Sequence, residues 1–185
     1  MTFGYPVMLD LGEVPVLVVG GGRVAFRKAQ GLAAVGAVVT VIAPEVVPEL
    51  VELAVEVQQR PYAPGDAARF RLVITATDDP AVNAMVAADA TAAGVWVNSA
   101  DDPANCTFIL PAVARRGPVV VSISTGGASP ALASHLRARI QNEVLTENVE
   151  RAAHELAAQR AEFHAQGIST ESIDWTDRVR TALGE

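Results

Sequence analysis

Three groups of residues have types and spacing that suit chemistry. The first is Gly20-Gly21-Gly22-Arg23-Val24-Ala25, which fits G-x-G-x-x-A directly after an apolar run. In that pattern the first glycine permits a tight turn, the second lets a pyrophosphate approach the backbone, and the small third position lets helix and strand pack closely. The amides at the start of the following helix then face an anion. The second group is the acidic pair Asp101-Asp102 in "VNSADDP". Either carboxylate suits a general base, and Asp-Pro is also a common turn initiator. The third is "STGGASP", where Ser124, Thr125, Gly126, Gly127 and Ser129 offer hydroxyls and amides at a helix start that favours anions. Arg115, Arg116, Arg137 and Arg139 add cations nearby in sequence.

The elements that must position these groups follow from the hydrophobic pattern. "VPVLVVG" (14–20) and "AVVTVIA" (37–43) are short buried strands. Between them, residues 23–35 place Ala25, Ala29, Leu32 and Gly36 on one helical face, with Gly36 as the C-cap. A short proline-started helix follows in 44–54, then strands in 55–62 and 71–79. Asp79 caps and Pro80 begins a helix to residue 94, and a fifth strand covers 95–102. The order β-α-β-α-β-β-α-β predicts a mostly parallel, doubly wound sheet. Ligands in such sheets bind at the carboxyl ends of the strands. Gly20–Gly22, Thr75–Asp79 with Ala76 and Thr77, and Asn98–Asp102 all fall there.

The pattern changes after about residue 112. Two apolar segments joined by Arg115-Arg116-Gly117-Pro118 leave no room for a helix, so a hairpin or sharp corner is expected. A helix over 129–145 starts with Ser129 as N-cap and Pro130 at its first position, with Leu132, Leu136, Ile140 and Val144 as its apolar stripe. Further helices are expected in 146–167 and within 174–184. The expected organisation is a Rossmann-like domain over 1–112, a small α/β dimerisation element over 113–145 and a helical C-terminal region over 146–185.

One feature of a dinucleotide site is missing. The second strand ends Ile42-Ala43-Pro44, without the acid that usually holds the adenosine ribose. Glu45 or backbone groups are left for that contact. No arginine stands there to receive a 2′-phosphate, which favours NAD over NADP.

The chain has 185 residues, half of them hydrophobic, and a net charge of −7. The charge argues against non-specific binding to nucleic acid or an acidic membrane. No run approaches the length of a membrane span, and no signal peptide is expected. The single cysteine, Cys106, fits a reducing cytoplasm. It reads as a small buried residue. His135, His154 and His164 lack ligand spacing, so no metal site is expected.

Taken together, "PVLVVGGGRVAFRKAQGLAAVGAVVTVIAP", "LVITATDDPAVN" and "VNSADDPANCTFILPAVARRGPVVVSISTGGASPALASHLR" resemble the precorrin-2 dehydrogenase family, which is also found as the N-terminal module of siroheme synthase. The likeness covers about residues 5 to 145 and rests on GGG-x-V-A-x-RK, ATDD-x-x-x-N, N-x-x-DD and S-T-G-G-x-S-P. It implies a homodimer with an NAD-binding Rossmann domain, a dimerisation domain and a helical C-terminal region. It implies oxidation of precorrin-2 to sirohydrochlorin with NAD⁺, and for some members insertion of ferrous iron. By its motif the catalytic aspartate falls on Asp101. Cofactor contacts fall on Gly20 to Ala25 and around Pro44-Glu45. A polycarboxylate substrate calls for cationic or amide-rich contacts, expected at Asn98, the "STGGASP" residues and Arg137. The family commonly lacks the ribose acid. The position of Arg23 is often acidic in relatives, and the C-terminal region matches weakly. Two other readings stay open on the residues alone, a nucleotide-sensing module without catalysis and a dehydrogenase for another substrate.

Overall fold

The computed structural model describes residues 4–53, 56–100 and 102–185. The chain divides into two compact units, Met1–Leu110 and Pro111–Glu185.

In the first unit, strands β1 (Pro15–Val19), β2 (Val38–Ala43), β3 (Glu56–Gln59), β4 (Leu72–Thr75) and β5 (Trp96–Ser99) form one sheet in the order β3-β2-β1-β4-β5. Every pairing is parallel. Helices α1 (Arg23–Ala33), α2 (Pro48–Glu52) and α3 (Pro80–Ala92) connect them. This is the expected doubly wound α/β architecture, with strands and the second helix shorter than their apolar runs.

Alternation along the strands sends side chains to two cores. Leu17, Val19, Ile42, Val73 and Val97 pack with Val86, Ala87 and Ala90 of α3. Val16, Val18, Val39, Val41, Leu72 and Ile74 pack with Ala25, Ala29 and Leu32 of α1 and Leu50 of α2. Strands covered on both faces need apolar residues at nearly every position, which is why β1 reads as a continuous run.

The helix ends follow the sequence signals. Gly36 stands at φ 81° after α1, where Gly36 N donates to Ala33 O (3.0 Å) and Ala37 N to Leu32 O (3.2 Å). Asp79 Oδ1 accepts from Ala81 N (2.8 Å) and Val82 N (3.4 Å) at the start of α3. The connection from β3 to β4 is tied by polar groups. Arg60 holds Asp66 with two nitrogens (2.7 and 2.9 Å), and the Tyr62 hydroxyl donates to Asp89 of α3.

The second unit contains an antiparallel hairpin, β6 (Ala112–Arg116) and β7 (Val119–Ile123), then α4 (Pro130–Arg139), α5 (Glu147–Ala165) and α6 (Thr176–Leu183). Gly117 takes φ 51° in the hairpin turn. The Gln141 amide accepts from Arg115 N and donates to Arg115 O (both 3.1 Å), so a side chain occupies the outer edge of β6. Beyond α4 the helix widens into a π turn over Ile140–Val144. The expected single helix to residue 145 is therefore interrupted, and its apolar stripe packs only in part, with Leu136 and Ile140 partly buried. Ala133 is the buried residue of α4, while Leu132 and Val144 are about half exposed. The π turn changes the angular step between residues, so the 3.6-residue stripe loses phase at Ile140. Helix α6 is held on α5 by Arg178, whose guanidinium lies 5.1 Å from the Phe163 ring centre and 6.0 Å from that of Trp175.

Among the described residues no helix is long and apolar enough to cross a membrane.

Candidate cofactor site

The sheet order leaves β1 toward β2 on one side and toward β4 on the other, so the loop after β1 sits at the topological switch point. Backbone bonds wedge it there. Gly20 N donates to Ile42 O (3.0 Å), and Ala76 N donates to Val19 O (2.8 Å). Gly20 has φ +126°, and a Cβ there would stand 2.4 Å from Ala76 O. Only glycine meets both conditions.

The next two glycines have different reasons. A Cβ on Gly21 would stand 1.7 Å from Glu45 O, and Gly21 O accepts from Val47 N (2.8 Å). Gly21 thus joins the loop after β1 to the loop after β2. A Cβ on Gly22 would meet nothing within 4 Å. Gly22 is the extended N-cap of α1 and gives no side-chain cap. The first amides of α1, beginning at Arg23 and Val24, have no partner inside the helix and face that open space. Ala25 is fully buried against the sheet. Open space before a glycine at an uncapped helix start fits the pyrophosphate of a dinucleotide.

The end of β4 is fixed by Asn83 of α3. Its Oδ1 accepts from the Thr75 hydroxyl, from Thr77 N (3.2 Å) and from the Thr77 hydroxyl (2.8 Å), and its Nδ2 donates to Thr77 O (2.9 Å). This network sets Ala76 against Gly20. Asn83 was not among the residues expected at the site. Its signal was the fixed spacing in ATDD-x-x-x-N. At the end of β2, Ala43 is buried while Pro44 and Glu45 are exposed. The residues expected to bind cofactor on β1, β2 and β4 are thus gathered by backbone contacts at one edge of the sheet.

At the end of β5 the picture differs. Asn98 was expected to touch substrate. It is buried, and its Nδ2 donates to Phe108 O (3.0 Å), so its amide holds the chain that follows β5. Asp101 lies outside the described residues. Asp102 accepts from Asn105 Nδ2 (2.6 Å) through its carboxylate and from Asn105 N (3.2 Å) through its carbonyl, and so closes a turn. Cys106 is buried as expected, with Sγ 3.1 Å from Ser99 N. Burial pushes its thiol pKa up. The Ser99 hydroxyl is buried with no partner among the described residues.

In the second unit, the side-chain oxygens of "STGGASP" bond within their own loop and helix start. Ser124 Oγ accepts from Gly126 N (3.2 Å), and Thr125 Oγ1 accepts from Ser129 N and donates to Ser129 O (both 3.1 Å). Ser129 Oγ caps α4 through Leu132 N (3.1 Å). Gly126 and Gly127 take φ 62° and 86°. Arg137 does not join this loop, because it lies in the last turn of α4, roughly 12 Å along the axis from Ser129 at 1.5 Å per residue. Among the described residues, no group of three or more His, Cys, Asp or Glu side chains is placed to hold a metal ion.

Residues 7–112 match the family model described as "Putative NAD(P)-binding", and residues 116–143 match that described as "Sirohaem biosynthesis protein central". The siroheme synthase of Methylococcus capsulatus is 49% identical over 140 residues, covering 74% of this chain and 30% of that one. The siroheme synthase of Methylobacillus flagellatus is 39% identical over 187 residues, covering 97% of this chain and 40% of that one. Among solved structures, SirC, a precorrin-2 dehydrogenase, superposes with a TM-score of 0.75 at 28% identity, covering 98% of this chain and 88% of that one. The chain spans about 30% of the length of most of the curated relatives it matches. With matches to both models and to these relatives, the chain belongs to the NAD(P)-binding family of siroheme synthase and precorrin-2 dehydrogenase.

Proposed function

We propose that this chain is an NAD⁺-dependent dehydrogenase that oxidises precorrin-2 to sirohydrochlorin in siroheme biosynthesis. The observation that carries the reading is an uncapped, open helix start at the switch point of a parallel sheet, in a chain that superposes over nearly its whole length on a precorrin-2 dehydrogenase.

When bound, NAD⁺ supplies a hydride acceptor. The chain does the rest. The amides at the start of α1 bind the pyrophosphate, and the seam between Gly21 and Glu45 fixes the loop that carries them. Residues Ala43 to Glu45, Ala76 and Thr77 flank the cofactor. Asp101 takes the proton that leaves as the macrocycle gains conjugation. The substrate is a polycarboxylate, and the Gly127 amide with the O–H donors of Ser124 and Ser129 suits its carboxylates, since the Gly126, Ala128 and Ser129 amides are engaged within the loop. Asn98 acts by holding the segment after β5. In this reading residues 1–112 form the cofactor domain, 113–145 the dimerisation element of a homodimer and 146–185 a helical appendage. The exposed Leu132 and Val144 support an interface on the second unit.

The test is an anaerobic absorbance assay with enzymatically generated precorrin-2, with and without NAD⁺, followed by ferrous iron. NAD⁺-dependent formation of sirohydrochlorin is expected. NAD⁺ binding without any change in the tetrapyrrole spectrum would move the assignment to a nucleotide sensor or another substrate. Faster siroheme formation than in protein-free controls would add iron insertion. A single-chain mass in sedimentation at micromolar concentration would remove the dimer.

A further inference from the structure

Arg23 opens α1 and is exposed. Among the described residues it makes no ion pair or hydrogen bond. Its position is unusual for a cation. The first turn of a helix carries the positive end of the backbone dipole, which repels cations and favours anions. The first turn of α1 contains no acidic residue, and Gly22 contributes no capping side chain. The charge of Arg23 is therefore not balanced from within its own element.

The Cα–Cβ bond of a helical residue tilts toward the helix N-terminus. From the first position of α1, Arg23 leans toward the space before Gly22, where a Cβ would meet nothing within 4 Å. The end of β2 offers the opposite. Ala43, the last residue of β2, is buried and has no polar side chain, and the exposed Glu45 stands two residues beyond it with its carbonyl packed close to Gly21. The cofactor edge thus has an exposed cation, unpaired among the described residues, on the first residue of α1, and no carboxylate on the last residue of β2.

We infer that Arg23 is the counter-cation of the cofactor's pyrophosphate, and that the site recognises its nucleotide by the diphosphate more than by the adenosine ribose. The inference rests on the dinucleotide reading above. It implies that ADP binds nearly as tightly as NAD⁺, since the diphosphate carries most of the recognition. It also implies that binding weakens as salt is added, because the ion pair is exposed.

The test is equilibrium calorimetry of the full chain with ADP, NAD⁺ and NADP⁺, for wild type, Arg23→Gln and Arg23→Lys, together with the melting temperature of each unliganded protein. Arg23→Gln should weaken all three ligands about tenfold, as expected for loss of one charge-assisted contact, and Arg23→Lys should recover part of the loss. The unliganded Arg23→Gln protein should melt at the same or a higher temperature, because a repelled cation has been removed. Unchanged ADP and NAD⁺ binding in Arg23→Gln would overturn the inference while leaving the dinucleotide site standing. Loss confined to NADP⁺ would overturn it too, by assigning the guanidinium to the 2′-phosphate. A lower melting temperature would make Arg23 structural. Failure of the wild type to bind any of the three ligands would sink the dinucleotide reading itself.

Discussion

The carbonyl oxygen of Glu45 lies 1.7 Å from the point where a Cβ on Gly21 would stand. The two loops of the cofactor edge are therefore packed backbone to backbone, and Gly21 is required by that close approach alone. Gly22, one residue on, faces open space. The two glycines should separate cleanly by mutation. Gly21→Ala must push the 45–47 loop away and should cost about 1–3 kcal/mol of stability, as overpacking does. Gly22→Ala should leave stability within about 1 kcal/mol, since a cap position loses only tenths between these residues or at most the value of a cap, yet weaken NAD⁺ binding. Urea melts and calorimetry read the two effects. Equal destabilisation by both substitutions would remove the distinction.

Asn83 joins α3 to both threonines at the end of β4. Replacing it with leucine leaves Thr75, which is fully buried, without its acceptor. A buried polar group left unpaired costs about 1–3 kcal/mol. Asn83→Leu should lower stability by that amount. It should also weaken NAD⁺, because the 75–79 loop that sets Ala76 against Gly20 is no longer pinned. Thr75→Val combined with Asn83→Leu should recover part of the stability but not the binding, which a double-mutant cycle would reveal.

The Arg60–Asp66 pair gives a pH dependence with a definite sign. The Arg60 guanidinium holds the Asp66 carboxyl below its usual value. A carboxyl with a depressed pKa in the folded state adds stability above its unfolded pKa, about 3.9. That stability is lost as pH falls through the folded value. Asp66→Asn should thus be less stable than wild type at pH 7, and the difference should shrink steadily below about pH 4. Thermal melts across pH 2 to 7 test it. A difference that stays constant down to the lowest pH would exclude the pair as its source.

Much of this was legible in the sequence, and the rest was not for identifiable reasons. The run from Val14 to Pro44 carries its own structure, because a strand covered on both faces must be apolar throughout and a helix behind a glycine loop must show one small apolar face. Asp79, Ser129 and Gly36 act within a few residues of themselves, so local rules reach them. Gly21 depends on Glu45, twenty-four residues away, and nothing in a glycine reports what it touches. Asn83 stood in a motif, but its partners were visible only once α3 lay on β4. Ser124, Thr125 and Ser129 have the composition of a ligand loop. Sequence cannot tell a hydroxyl offered outward from one spent on its own backbone. The helix after Pro130 reads as unbroken to residue 145, yet Gln141, within the π turn, is bonded to the backbone of Arg115.

Cys106 should be chemically silent in the native protein. It is 3% exposed, and burial raises its pKa, so little thiolate is present to react. An aromatic disulfide reagent at pH 8 should label it at the rate of unfolding, and at once in denaturant. Rapid native labelling would mean that the 99–106 turn opens readily.

The two neighbouring aspartates after β5 should behave in opposite ways. Asp102 accepts two bonds from Asn105 and closes the turn that places Cys106 beside Ser99. Its carboxylate works inside the fold, so Asp102→Ala should cost about 1 kcal/mol, the scale of a lost side-chain hydrogen bond. Turnover should survive in proportion to the folded fraction. Asp101 is proposed as the base. Asp101→Ala should leave the melting temperature and NAD⁺ affinity near wild type, and lower the rate of precorrin-2 oxidation by about 10²–10⁴, the usual worth of general base catalysis. Single-turnover absorbance with saturating NAD⁺ separates the chemical step from binding. If Asp101→Ala turns over normally and Asp102→Ala does not, the base is Asp102, and its bond to Asn105 must open in the substrate complex. If neither slows the reaction, the proton leaves to water or to the substrate's own carboxylates, and the chain's contribution is binding and orientation alone.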